Sequence, residues 1–230
     1  MSGWPVSSGA VTPDEAPRPV RAVLFDLDGT LHDRPGTCAT GWEGHTRRFG
    51  LGAGYAARFL ELDDFGYRSK TLVFPQLVRE FGLDLAPDVL FADFDTALDH
   101  ARPMPHAHEV LGALRARGLK VGIVTNGWVD AQTRCLNRCG LTGRVDDVVI
   151  SRAVGLSKPD PGIYVLALER LGVQAAETWF VGDSPRNDVA GPQAAGLRAA
   201  FLPTGHALNG ERPDAVLRNL RDVLSLFPAP

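Results

Sequence analysis

The sequence predicts an α/β protein: a doubly wound parallel sheet with a helical segment inserted after its first strand. Three observations lead there. The run AVLF at 22–25 is apolar without alternation, as in a strand buried on both faces of a parallel sheet. From about 104 onward, apolar strand-like runs alternate with helix-length segments, and a glycine follows the helices. Residues 32–102 break that alternation and carry only helical patterns.

Taken in order, residues 1–19 are rich in Pro, Ser, Gly and Ala without periodicity and are expected to form a disordered leader. Strand 1 follows at about 21–27. Helices are expected at about 37–49, 53–62, 71–81 and 87–100, separated by Gly, Pro and Asp. A helix at 106–117 ends at Gly118, and the strand KVGIVT runs to Thr125. A helix at 129–139 ends at Gly140, and the strand DVVIS closes at Ser151. A helix at 160–171 ends at Gly172, and the strand TWFVGD reaches Asp183. A helix at 187–195 ends at Gly196, before the strand LRAAFL to about 202. A short strand DAVL and a helix at about 218–227 complete the pattern. Alternation of this kind means parallel strands joined by right-handed crossovers. The core is therefore expected to comprise 20–31 and 103–230. Residues 32–102, framed by the proline-containing stretches LHDRPG and ARPMP, are expected to hang as a lid over the C-terminal edge of strand 1.

Composition narrows the function. The 230 residues have a net charge of −3, a pI near 6.1 and a mean hydropathy of −0.05. There is no general electrostatic drive toward nucleic acid or an anionic membrane. No apolar stretch reaches membrane-span length and no secretory signal opens the chain, so a cytoplasmic protein is expected. Cys38, Cys135 and Cys139 make no disulfide framework and are expected to be reduced, half-buried hydrophobes. The HAH run at 106–108 starts a helix away from the strand ends and is given no metal role. Only three of the 24 basic residues are lysine: Lys70, Lys120 and Lys158. This scarcity singles out the lysine of SKPDP, because a compact ammonium among carboxylates is a task that arginine does poorly.

The chemistry sits at strand ends, where open α/β sheets place ligands. Asp26 and Asp28 follow strand 1 at i and i+2, so both carboxylates can face one crevice. Two acids on a buried strand are costly unless a cation or catalysis requires them, although the motif also suits an Asp-Gly turn. IVTNG puts Thr125 and Asn126 at the end of the next strand, where they can meet an anion or simply form an Asn-Gly turn. Lys158 precedes a helix start and also reads as a loop lysine. VGDSPRND supplies Asp183 and Asp188, and fits a turn with an N-cap. Together these signals occur in the order that one crevice needs.

With DLDGT at 26–30, TN at 125–126, KPD at 158–160 and GDSPRND at 182–188, the chain resembles the haloacid dehalogenase-like hydrolase superfamily, over about 20–228. The resemblance implies a Rossmann-like core with a helical cap at 32–102. It implies a phosphatase acting on a small phosphorylated metabolite, with no nucleic-acid or membrane partner; it says nothing of oligomeric state. Asp26 would be the nucleophile, and Asp28 would protonate the leaving group and then activate water. Thr125, Asn126 and Lys158 would hold the phosphoryl oxygens. Mg²⁺ would bind Asp26, the Asp28 carbonyl and Asp183, with Asp188 orienting the outer ligands. Asp28 would need a raised pKa, supplied by anionic neighbours and lid closure. Asp28 disfavours the dehalogenases, which lack that acid, while a sugar-phosphate mutase shares it. A phospho-acceptor signalling domain would need neither lid nor general acid. A dinucleotide-binding module would need a GxGxxG after strand 1 that the chain lacks. Trp42, His45, Arg47, Arg68 and Lys70 are the cap residues considered for substrate contact; a solvated helix face, or cap core for Trp42, is the simpler expectation for each.

Overall fold

The computed structural model describes residues 19–52 and 54–228. The expected leader, apart from Pro19, lies outside the described residues. Strands β1 (Ala22–Phe25), β2 (Lys120–Thr125), β3 (Asp147–Ile150), β4 (Thr178–Gly182), β5 (Arg198–Phe201) and β6 (Ala215–Val216) form one sheet in the order β3-β2-β1-β4-β5-β6. Every pairing is parallel. The α/β, doubly wound class predicted from the sequence is the observed one.

Strand alternation divides the core into two layers. Val23 and Phe25 face one side, packed with Val110, Leu111 and Leu114 of helix α5 (Ala107–Ala116) and Cys135 and Leu136 of helix α6 (Val129–Arg138). Leu24 faces the other, with Phe180 and the Ile163, Tyr164, Ala167 and Leu168 stripe of helix α8 (Pro161–Leu171). Asp160 caps α8 through the Gly162 amide, Pro161 stands in its first turn, and Gly172 ends it in the left-handed conformation. Phe25 lies level with Ile123 of β2 and Val181 of β4. Chain direction across the sheet switches between β1 and β4, and the crevice that such a switch opens lies beyond their carboxyl ends. Asp26 is the first residue past β1.

Between β1 and β2 the chain forms helices α1 (Arg34–Phe49), α2 (Tyr55–Asp63), α3 (Lys70–Phe81) and α4 (Pro87–Asp95), with single 3₁₀ turns at Asp64–Gly66 and Thr96–His100. They share an apolar cluster in which Trp42 meets Phe59 edge-on, with ring centroids 4.4 Å apart. The two connections to the sheet are tied side by side. His32 pairs with Pro103, Asp33 N donates to Arg102 O at 3.0 Å, and Met104 N donates to Leu31 O at 2.8 Å.

Several elements differ from expectation. Helix α1 starts at Arg34, because Asp33 caps it and Pro35 suits its first turn. The helix expected over 187–195 is a π-helical turn, Pro185–Ala190, followed by α9 (Gly191–Ala194). Pro192 cannot donate into a regular ladder, and such turns are frequent at functional sites. A short helix α7 (Ser151–Val154) follows β3, where the sequence had suggested the strand's last residue. The terminal helix is a 3₁₀ turn, Leu220–Asp222, running into α10 (Val223–Leu226). No helix among the described residues is long and apolar enough to cross a membrane.

Candidate active site

At the carboxyl ends of β1 and β4 lies a crevice lined by Asp26, Asp28, Thr125, Asn126, Lys158, Asp183 and Asp188, the seven residues singled out from the motifs. Lys158 is buried at its centre. Its Nζ donates to Asp26 Oδ1 at 2.6 Å and to Asp188 Oδ1 at 2.7 Å. Asp188 also accepts from the Ser184 amide at 2.9 Å, which explains why the turn after β4 bends inward. Asp183 accepts from Thr204 Oγ1 at 3.3 Å.

Two glycines are dictated by this crowding. Gly29 has φ +87°, and a Cβ there would stand 2.3 Å from Asp183 Oδ2. A Cβ on Gly182 would stand 2.4 Å from Asp188. The glycine in DGT therefore lets the loop after β1 close on Asp183, and the one in GDS lets the turn after β4 fold Asp188 back against its own strand.

Three buried carboxylates share one ammonium, which leaves a negative surplus. Burial raises the Asp26 carboxyl, Lys158 pulls it back and Asp188 raises it again, to about 7. Burial, then Asp26 and Asp188, push Asp183 up to about 8. Burial alone would lower Lys158, but Asp188 and Asp26 hold it firmly protonated, above its ordinary value. Asp26, Asp183 and Asp188 offer oxygens within 4.8 Å of one another. Hard oxygen donors with unneutralised charge fit a divalent cation such as Mg²⁺.

Asp28 departs from expectation. Burial would raise its carboxyl, but the bond and charge of His32, with Arg34 and Gln132, bring it well below the usual carboxylate range. His32 Nδ1 donates to Asp28 Oδ1 at 2.6 Å, and Gln132 Nε2 donates to Asp28 Oδ2 at 3.1 Å. The raised pKa expected from anionic neighbours is thus corrected: imidazole and amide donors reach Asp28 instead. His32 is itself buried, and its Nε2 meets Thr37 Oγ1 on α1 at 2.8 Å. Thr125 Oγ1 donates to Gln132 Oε1 at 3.0 Å, so a continuous polar chain runs from Thr125 through Gln132, Asp28 and His32 to Thr37.

The Asn126 side chain is engaged with the backbone of Lys158: Nδ2 donates to its carbonyl and Oδ1 accepts from its amide, both at 2.9 Å. It fixes the loop that presents the lysine. Tyr67, from the segment between β1 and β2, hydrogen-bonds Ser184, stacks on His206 with centroids 4.5 Å apart and lines the crevice. His32, Gln132, Arg34 and Tyr67 are the residues that the motifs did not indicate. A polar side chain four residues beyond a motif acid, as His32 is, was the one available signal.

Of the five residues considered for substrate contact, Arg68 and Lys70 line a larger cavity adjoining the crevice. Trp42 and His45 are buried among the helices, with His45 Nδ1 2.7 Å from Asp93 Oδ2, and Arg47 pairs with Glu43 on the surface. The cysteines are more buried than expected, and folding brings His32 to Cys135 and Cys139, a proximity the linear sequence did not show. Both His32 nitrogens are already engaged. His108 of the HAH run bonds the Cys139 carbonyl at 2.8 Å.

A parallel sheet of this order with an Asp-Lys-Asp-Asp cluster at its switch point defines a class of hydrolase. Residues 20–196 match the family model for haloacid dehalogenase-like hydrolases, and the chain belongs to that family. It is 30% identical to the glyceraldehyde 3-phosphate phosphatase of Methanopyrus kandleri over 81% of this chain and 85% of that one. It is 28% identical to the phosphoglycolate phosphatase of Aquifex aeolicus over 90% of this chain and 97% of that one. Its fold is similar to the putative HAD-hydrolase YfnB from Bacillus subtilis bound to magnesium, with a TM-score of 0.80 and 22% identity over 91% and 99% of the two chains.

Proposed function

We propose that this enzyme is a phosphatase that hydrolyses a small phosphorylated metabolite through an aspartyl-phosphate on Asp26. The single observation that carries the reading is the buried grip of Lys158 on Asp26 and Asp188 beside Asp183, at the switch point of the sheet. Its relatives' names, phosphatases of small phosphorylated compounds, support it.

In this reading Asp26 attacks phosphorus while the ester P–O bond breaks, and Asp28 gives a proton to the departing alkoxide. Asp28 then takes a proton from water as the water oxygen attacks phosphorus, the bond to Asp26 breaks and phosphate leaves. Lys158 and Thr125 hold the phosphoryl oxygens, while Asn126 fixes the Lys158 loop. Mg²⁺, held by Asp26 and Asp183 with Asp188 beside them, would supply charge neutralisation for the phosphoryl group. To deliver a proton, Asp28 must first take one up on Oδ2 in exchange for Gln132, while His32 keeps hold of Oδ1 and fixes the carboxyl. Because His32 also bonds Thr37 on α1, residues 32–102 acting as a cap would couple their placement to that exchange. A panel of phosphorylated metabolites tested with wild type and Asp26→Asn examines the proposal. Turnover of at least one should fall more than a thousandfold in the folded variant, in line with loss of a covalent nucleophile; activity within tenfold would defeat it.

A further inference from the structure

We infer that the substrate carries a second anionic group, a carboxylate or a second phosphate, seated on Arg34 and Lys70; the inference rests on the phosphatase reading. Beside the catalytic crevice lies a cavity of about 650 Å³, bounded by the helices after β1 and by the loops after β2 and β3. Its charged walls are unbalanced. Arg34, Arg68, Lys70 and Arg152 are cationic, while Asp28 and Asp95 are anionic. Both anions are already engaged, Asp28 by His32 and Gln132, and Asp95 by Arg134.

Two of the lining cations form a fixed pair. Asp63, fully buried at the end of α2, accepts from Arg34 Nη2 at 2.6 Å on one oxygen and from Lys70 Nζ on the other. One buried carboxylate thus fixes two cations, each side chain 20% exposed and both lining the cavity. Asp63 offers one negative charge to this pair of cations, so their remaining donors face the cavity, where an anionic ligand can meet them. An anionic ligand would complete the square that Asp63 begins, with the guanidinium offering paired donors and the ammonium a third. Arg34 lines the catalytic crevice as well as the cavity, so an anion on it is a neighbour of the phosphoryl site. A short spacer between the two anions follows. Phe91 and Phe94, which also line the cavity, offer no competing charge.

The test measures kcat/KM of the full-length enzyme with Mg²⁺ on matched pairs. 3-Phosphoglycerate is set against glycerol phosphate for the carboxylate, and fructose bisphosphate against fructose 6-phosphate for the second phosphate. The anion-bearing member of at least one pair should be favoured by about 10- to 100-fold, the reach of charge-assisted hydrogen bonds. The favoured pair identifies the anion, and Lys70→Met should shrink its ratio at least tenfold. Should the variant fail to fold, wild type suffices: phosphonoacetate should inhibit p-nitrophenyl phosphate hydrolysis at least tenfold more tightly than ethylphosphonate. Ratios within threefold in both pairs, or an unchanged ratio in folded Lys70→Met, overturn the subsite and leave the phosphatase reading standing. Absence of hydrolysis with p-nitrophenyl phosphate and every panel ester overturns both.

Discussion

Replacing His32 by Phe keeps the ring's volume and removes both of its nitrogens. Asp28 loses a 2.6 Å bond to an imidazole, and buried Thr37 loses its 2.8 Å partner. A hydrogen bond to a charged group contributes about 1.5–3 kcal/mol, and an orphaned buried hydroxyl costs about 1–3 kcal/mol. Asp28 is 28% exposed, so water recovers part of the first loss. The variant should therefore be less stable by about 2–4 kcal/mol in urea unfolding. General acid–base catalysis contributes about 100- to 10,000-fold, and Gln132 still holds one Asp28 oxygen. We expect kcat for alkyl phosphates to fall about 10- to 100-fold, with KM within threefold. Thr37→Val separates the two effects, because it breaks the distal bond and spares the one to Asp28. It should cost about 1–2 kcal/mol of stability and change kcat less than threefold. If His32→Phe keeps kcat within threefold, or Thr37→Val loses as much as His32→Phe, the positioning argument fails.

Other outcomes follow from the same geometry. Gly29→Ala must displace Asp183 and adopt a strained left-handed backbone, so it should lose about 1–2 kcal/mol or more in unfolding together with most activity; wild-type activity in the variant would contradict the close-approach reading. Mg²⁺ added to metal-stripped protein should raise Tm, by an amount equivalent to about 2.7 kcal/mol at a hundredfold excess over Kd, and Asp183→Asn should abolish the rise. Calorimetry that finds the same rise in the variant would remove Asp183 from the metal site. Asp93 ties α1 to α4 through Arg48 and His45, and those bonds hold its carboxyl below the usual range. Its folded pKa is depressed, so its stabilisation is complete above the unfolded carboxyl's pKa of about 3.9 and fades as pH falls through the lower folded value. The urea midpoint gap between wild type and Asp93→Asn should accordingly narrow as the buffer is taken from about pH 5 into the more acidic range. A gap that widens there would reverse the sign.

What could be read from the sequence followed from local rules. AVLF announced a doubly buried strand, and the crossover rule then made its neighbours parallel, which is how the ends of β1, β2 and β4 could be expected to meet. Asp26, Lys158, Asp183 and Asp188 stood out because buried charge at strand ends has few structural uses. Gln132 and the Arg34-Asp63-Lys70 group were not legible for the opposite reason. Their meaning lies in partners 104 residues apart in one case and 29 in another, which no local spacing reveals. The Asp28 carboxyl was misjudged on the same ground: its nearest motif neighbour is an acid, but folding turns it toward His32 and Gln132. The π-helical turn after β4 also escaped periodicity, since Asp188 bends it to reach Lys158 and the Ser184 amide.

Covalent catalysis by Asp26 passes through an aspartyl-phosphate that can be trapped. Enzyme with Mg²⁺ and a turned-over phosphomonoester is quenched in acid during the first turnover and reduced with borohydride, which converts an aspartyl-phosphate to homoserine. Homoserine is expected at position 26 alone, and none in Asp26→Asn. Full hydrolysis in the first turnover with position 26 unmodified, or modification at Asp28 or Asp183 instead, would contradict it.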